Sequence, residues 1–217
     1  MIPKVIHYCW FGKGEIPPLS ERCLESWRKK LPEFDIKRWD ESNAPTDVPF
    51  VQDMLKQKKW AFASDYVRLY ALFNEGGVYF DTDIEAVQNL SPLLDTECFV
   101  GYESEGRVTT GVAGSEKGAK YIKLCMDLME SRHSKGLEYW IAPEVASSVF
   151  KAAPDLAVAY PTHYFYPFNP YDTSVATDIL MFSDIKPDTY AIHHWNHAWK
   201  IGFLERVLRT VKKALGA

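Results

Sequence analysis

Gly76-Gly77-Val78-Tyr79-Phe80-Asp81-Thr82-Asp83 sets three apolar residues between a glycine pair and a pair of acids. The sixteen residues before it, Trp60-Ala61-Phe62-Ala63-Ser64-Asp65-Tyr66-Val67-Arg68-Leu69-Tyr70-Ala71-Leu72-Phe73-Asn74-Glu75, read as a helix apolar nearly all round. A helix of that kind lies in an interior, and Gly76 is its stop. Val78-Tyr79-Phe80 then reads as a short buried strand, so Asp81-Thr82-Asp83 stands at a strand's carboxyl end, where open α/β sheets bind ligands. Two carboxylates at i and i+2 on a strand point the same way and can face one cation. Their oxygens suit a hard ion, Mn²⁺ or Mg²⁺, which shares its shell with substrate phosphates.

Working outward, Val5 to Trp10 reads as a first strand ending in the loop Phe11-Gly12-Lys13-Gly14. A helix is expected from about residue 20, with Glu21 and Glu25 early and Arg28, Lys29 and Lys30 late, before Pro32. Residues 35–39 form a second expected strand, and one clear helix is expected near 119–131. Residues 100–185 are otherwise rich in glycine, proline and short elements. Strands and helices alternate, which makes the class α/β with a mixed sheet. With 217 residues the chain has the size of a single domain, 1–217.

Composition excludes several classes. The chain is 47% hydrophobic and 25% charged with a net charge of −4, which fits a folded protein and argues against general phosphate gripping of nucleic acid. No run of 18 apolar residues occurs, so no membrane-spanning helix is expected. Cys9, Cys23, Cys98 and Cys125 are far apart with no CxxC pair, which argues against a zinc cage or redox dithiol. No signal-peptide pattern opens the sequence, and the expected location is the cytoplasm.

Further candidates surround the acids. Asp65 and Arg68 lie three apart on the apolar helix and share a face, with Ser64 adjoining as a donor. Charges kept on such a helix either form a buried ion pair or face a polar cleft. Trp10, ending the first strand beside glycines, reads either as a core aromatic or as a platform for a nucleobase. His193-His194-Trp195-Asn196-His197-Ala198-Trp199 packs three of the six histidines near two tryptophans. His194 and His197 have the i, i+3 spacing with which one turn aims two rings at a single ion.

Taken together, Ile2-Pro3-Lys4-Val5-Ile6-His7-x-x-Trp10-x-Gly12, Ala63-Ser64-Asp65-x-x-Arg68, Gly76-Gly77-x-Tyr79-x-Asp81-x-Asp83 and His194-x-x-His197-x-Trp199 resemble glycosyltransferase family 32. That family is related to the fungal initiating mannosyltransferases and the glucosylating toxins. The resemblance is dense over residues 2–120 and resumes at 190–199. It implies a GT-A fold with a mixed, mostly parallel central sheet, a nucleotide-sugar donor (a UDP- or GDP-sugar), a divalent cation, and transfer with retention to a glycan or lipid-linked glycan in polysaccharide or lipopolysaccharide synthesis. By position it implies base stacking on Trp10 and sugar and ribose hydroxyls on Asp65 and Arg68. It likewise implies that Asp81 faces sugar and metal, that Asp83 ligates the metal, and that Trp199 closes over the β-phosphate. The toxins carry a Glu and a Ser where His194 and His197 stand here.

Two other readings compete. A haloacid dehalogenase-type phosphohydrolase also places DxD after an apolar strand, but near the start of its domain and followed by Gly-Thr, unlike residues 81–85. A non-catalytic sugar-binding module would use the aromatic run 164–171. At the other end, residues 200–217 hold five basic residues and one acid, against 20 basic and 28 acidic over 1–199. Phe203, Leu204, Val207, Leu208, Val211 and Leu215 recur at helical spacing. Residues 202–217 are therefore expected to form a basic amphipathic helix, which either docks on the domain or touches an anionic membrane at its inner face.

Overall fold

The computed structural model describes residues 1–172 and 179–196. The central sheet has six strands: β1 (Val5–Cys9), β2 (Asp35–Trp39), β3 (Gly77–Phe80), β5 (Cys98–Ser104), β6 (Arg107–Ser115) and β7 (Val158–Tyr160). They lie in the order β2-β1-β3-β6-β5-β7. β1 is parallel to β2 and β3, and β5 is parallel to β7, whereas β6 runs antiparallel to both β3 and β5. The sheet is therefore mixed, as the α/β pattern implies, and mostly parallel, as the family resemblance implies. A separate antiparallel pair joins β4 (Ile84–Ala86) to β8 (Ala191–His193), with Ile84 opposite His193.

Two apolar layers cover the sheet. One face packs α2 (Pro49–Lys56), α3 (Trp60–Glu75), α4 (Lys120–Ser134) and α5 (Ala142–Ala152) around Phe50, Tyr66, Leu72, Tyr79 and Tyr121. The other packs α1 (Pro18–Lys30), the β4–β8 pair and the short α6 (Thr162–Phe165) around Ile6, Trp27, Val78, Phe80, Phe99 and Phe165. Side chains alternate across a strand. Tyr79 accordingly faces α3 while Val78 and Phe80 face α1, and the next residue, Asp81, falls back on the α3 side.

The α3–β3 turn fixes where that alternation starts. Gly77 has φ +107°, and a Cβ there would come within 2.7 Å of the Val5 carbonyl oxygen, so only glycine fits. Buried His7 secures the turn: Trp39 Nε1 donates to its Nδ1 at 3.0 Å, which leaves Nε2 to donate to the Gly76 carbonyl at 2.8 Å. Burial holds the His7 pKa below its ordinary value, in keeping with the neutral ring.

The expected elements at 35–39 and 60–75 are present, the strands expected at 5–10 and 78–80 span 5–9 and 77–80, and α1 and α4 begin two residues and one residue from their expected starts. The region read as short elements holds more structure than its composition suggests: the long β5–β6 hairpin and α5 lie within it. The expected helix at 202–217 lies outside the described residues, as do His197 and Trp199. Among the described residues no helix is long and apolar enough to cross a membrane.

Candidate active site

The carboxyl end of β3 meets one face of α3. Arg68 is 5% exposed and Asp65 8%. Arg68 Nη2 lies 2.7 Å from Asp65 Oδ1 and 3.1 Å from Asp81 Oδ1, and Nη1 donates to Asp81 Oδ2 at 3.4 Å. The guanidinium also sits 4.6 Å from the centre of the Tyr79 ring, whose hydroxyl donates to Asp81 Oδ1 at 3.3 Å. The pair is the buried ion pair of the first sequence reading, and Arg68 extends it to the first acid of the DxD.

Burial raises the Asp65 carboxyl to about 6 against the pull of Arg68. Asp81 is also raised by burial, with Arg68 opposing. For Arg68, burial disfavours the charge, but Asp81, Tyr79 and Asp65 outweigh it and the guanidinium stays protonated. Ser64 Oγ is buried beside this cluster with no hydrogen-bond partner. An orphaned buried hydroxyl has a cost unless something meets it, and a donor hydroxyl approaching Asp65 and Arg68 would do so.

The two acids do not share a strand face, as the i, i+2 argument expects. β3 ends at Phe80, and the Ile84 N–H bonds back to the Asp81 carbonyl at 3.0 Å, closing a turn over 81–84. That turn swings Asp83 to the β8 side. Its Oδ1 lies 3.1 Å from His193 Nε2, its Oδ2 accepts the Asn196 N–H at 2.8 Å, and its carbonyl accepts the His194 N–H at 3.0 Å. Burial is the largest influence and pushes Asp83 upward, but His193 and the backbone hydrogen bonds together outweigh it and the carboxyl lies below its usual range.

His194, the histidine singled out by spacing, turns the other way and pairs with Glu85 at 2.8 Å. Neighbouring residues at the end of a strand face opposite sides, and it is His193, paired with Ile84, whose side faces the DxD. The β4–β8 pairing decides which histidine that is, and neither three-residue strand is visible in hydropathy. Gly111 was also missed. Its carbonyl accepts the Asp81 N–H at 2.9 Å, and a Cβ there would lie 2.7 Å from Asp81 Oδ2 and 3.0 Å from the Tyr166 hydroxyl. Trp10 is 5% exposed, packs in the layer with Tyr8 and Trp27, and donates through Nε1 to the Gly14 carbonyl at 2.8 Å. It is part of the buried core in this structure.

Among the described residues no cluster of three or more His, Cys, Asp or Glu side chains is arranged to hold a metal. The donor set nevertheless fits Mn²⁺ or Mg²⁺. Such an ion commonly takes one or two carboxylates and fills its shell with substrate phosphate and water. Asp81 keeps 27% of its side chain exposed and Asp83 13%.

Residues 17–100 match the family described as "Glycosyltransferase sugar-binding region containing DXD motif". The chain is 29% identical over 126 residues to inositol phosphoceramide mannosyltransferase 3 of Schizosaccharomyces pombe, covering 56% of this chain and 35% of that protein. It is 26% identical over 152 residues to lactosylceramide 4-alpha-galactosyltransferase of Mus musculus, covering 61% of this chain and 40% of that protein. The chain thus spans about a third to two fifths of the length of these relatives. Among solved structures, PaToxG glycosyltransferase superposes with a TM-score of 0.60 at 18% identity over 70% of each chain. Residues 17–100 of the chain are thus similar to the DXD-containing sugar-binding region of glycosyltransferases, and the chain has a GT-A-type fold.

Proposed function

We propose that the protein transfers a hexosyl group from a nucleotide-sugar to a hydroxyl of a glycan or glycolipid, with retention at the anomeric carbon. The observation that carries this reading is the Asp65–Arg68–Asp81 network at the end of β3. A buried ion pair is seldom more stabilising than apolar packing. Its retention beside the DxD and the orphaned Ser64 hydroxyl is explained by a polar ligand. Asp65, Arg68 and Ser64 hold sugar and ribose hydroxyls, and Asp81 and Asp83 hold Mn²⁺ or Mg²⁺. That cation supplies charge neutralisation for the departing diphosphate.

The protein's own part is to fix the donor. Arg68 restrains Asp81 at a defined rotation. In a front-face transfer the acceptor oxygen bonds to the anomeric carbon as the bond to the phosphate oxygen breaks, and that phosphate oxygen takes the acceptor proton. The relatives named above act on ceramide lipids, which supports a glycolipid acceptor. The basic residues of 203–217 support peripheral contact with an anionic membrane on its cytoplasmic side.

A thermal-shift panel of UDP- and GDP-sugars, with and without Mn²⁺, tests the reading. A donor at 100 times its dissociation constant stabilises by about 2.7 kcal/mol, or roughly 5–11 °C for a chain of this size. Absence of any Mn²⁺-dependent shift across the panel contradicts it. Release of phosphate from aryl phosphate esters that is lost on changing Asp81 would favour the phosphohydrolase instead.

A further inference from the structure

The aromatic run 164–171 does not form one surface. Phe165, Tyr166 and Phe168 are buried, whereas Tyr171 is 56% exposed. Its ring lies 5.7 Å from that of half-buried Trp195, whose Nε1 donates to the Phe168 carbonyl at 2.7 Å. Asn169, itself buried, joins this corner to the sheet: its side chain donates to the Glu103 carbonyl at 2.8 Å and accepts the Tyr171 N–H at 2.9 Å. The corner therefore sits at the end of β5, beside the 193–196 turn that holds Asp83. Glu103 stands out there. It lies at the hairpin end of β5, yet its side chain is only 11% exposed, while that of its partner Arg107 is 43% exposed. Arg107 Nε donates to Glu103 Oε1 at 2.5 Å. Among the described residues, Glu103 Oε2 and the two terminal nitrogens of Arg107 make no hydrogen bond. Burial raises the Glu103 carboxyl against the pull of Arg107, and His193 and Asp81 are near enough to act on its charge.

We propose that Glu103, Arg107 and Tyr171 form a subsite for the acceptor sugar, with Trp195 backing the Tyr171 ring. An ion pair that only closed a hairpin would lie in water, where neither charge is desolvated. Burying the carboxylate and leaving one of its oxygens unbonded carries a cost that a ligand's hydrogen bonds offset. The groups present suit a pyranose. Its hydroxyls donate to the carboxylate and accept from the guanidinium, and its apolar face lies on an aromatic ring. This rests on the reading of the DxD as a nucleotide-sugar site. The donor lies on the α3 side with Asp65 and Arg68, and this corner lies across the DxD on the β8 side. An acceptor held here meets the donor's anomeric carbon from that side.

The test is steady-state kinetics of the full chain with its preferred nucleotide-sugar and Mn²⁺, for wild type, Glu103→Ala, Glu103→Gln and Tyr171→Ala. Methyl β-glucoside, methyl β-galactoside, methyl α-mannoside and lactose serve as acceptor probes. Hydrogen bonds to a charged group and ring stacking set the scale: Glu103→Ala should raise the KM for the best acceptor at least about tenfold and Tyr171→Ala at least about threefold, while the KM for the nucleotide-sugar stays within about twofold. Glu103→Gln keeps an oxygen for Arg107 but no charge and should fall between wild type and Glu103→Ala. An unchanged acceptor KM in folded Glu103→Ala and Tyr171→Ala overturns the proposal. An equal rise in the KM for the nucleotide-sugar also overturns it, because that marks a general disturbance of the donor site. If wild type releases nucleoside diphosphate from its donor but transfers to none of the four saccharides, the subsite is rejected and the donor site stands. If wild type does neither, the donor reading falls and the subsite with it. Should Glu103→Ala fail to fold, Glu103→Gln and Tyr171→Ala decide: unchanged acceptor KM in both rejects the subsite.

Discussion

Replacing Arg68 by Met keeps side-chain bulk on α3 and removes a cation bonded to both Asp65 and Asp81. Arg68 and Asp65 have side chains only 6% and 10% exposed, so solvent cannot take over the lost charge. Breaking a buried pair by removing one partner costs about 3–5 kcal/mol. At 2–4 °C per kcal/mol for a chain of this length, the melting temperature should fall by roughly 6–20 °C at pH 8. The loss also has a pH signature. In wild type burial already raises Asp65 to about 6, and without Arg68 both acids rise further. A carboxyl whose native pKa exceeds its unfolded value loses stability as pH rises through that interval. The deficit of Arg68→Met should therefore shrink from pH 8 to pH 5, where the native acids take up protons. Urea melts at the two pH values measure this, and adding Asp65→Asn to Arg68→Met should recover part of the deficit at pH 8. A deficit below about 1 kcal/mol at pH 8, or one that does not change with pH, refutes the view that Arg68 neutralises two buried acids.

Gly111→Ala puts a methyl group 2.7 Å from Asp81 Oδ2. It should cut Mn²⁺-dependent donor hydrolysis at least tenfold while the circular dichroism stays that of wild type, and an unchanged rate shows that the Asp81 rotation is unimportant. The full chain should co-sediment with anionic vesicles at low salt, and deletion of 203–217 should abolish that while sparing donor hydrolysis. Unfolding or aggregation of the truncated chain would instead assign the segment to the core.

The parts of this fold that were legible in the sequence are those where one residue type has one physical role. Gly76-Gly77 stops α3 and starts β3 because no Cβ fits beside the Val5 carbonyl, and the all-round apolar character of α3 announces its burial between sheet and helices. Asp65 and Arg68 stood out because charge on such a helix needs a reason. What stayed hidden depends on pairings far apart in sequence. β6, Arg-Val-Thr-Thr-Gly-Val-Ala-Gly-Ser, is buried along nearly all its length yet has no alternating apolar pattern, since its small residues make room for Phe99 and Asp81. The choice of His193 over His194 follows from the register of two three-residue strands. Trp10 had two readings from sequence, and its 5% exposure among Tyr8 and Trp27 places it in the core.

The central claim is that Asp81 and Asp83 form a cation-dependent nucleotide-sugar site. The most direct measurement is the rate at which the purified chain releases nucleoside diphosphate from its preferred donor, with Mn²⁺ and with excess chelator, for wild type and Asp83→Asn. The expected result is Mn²⁺-dependent release by wild type, abolished by chelator and reduced at least a hundredfold in a folded Asp83→Asn. Release that persists in chelator, or in folded Asp83→Asn at the wild-type rate, contradicts the claim.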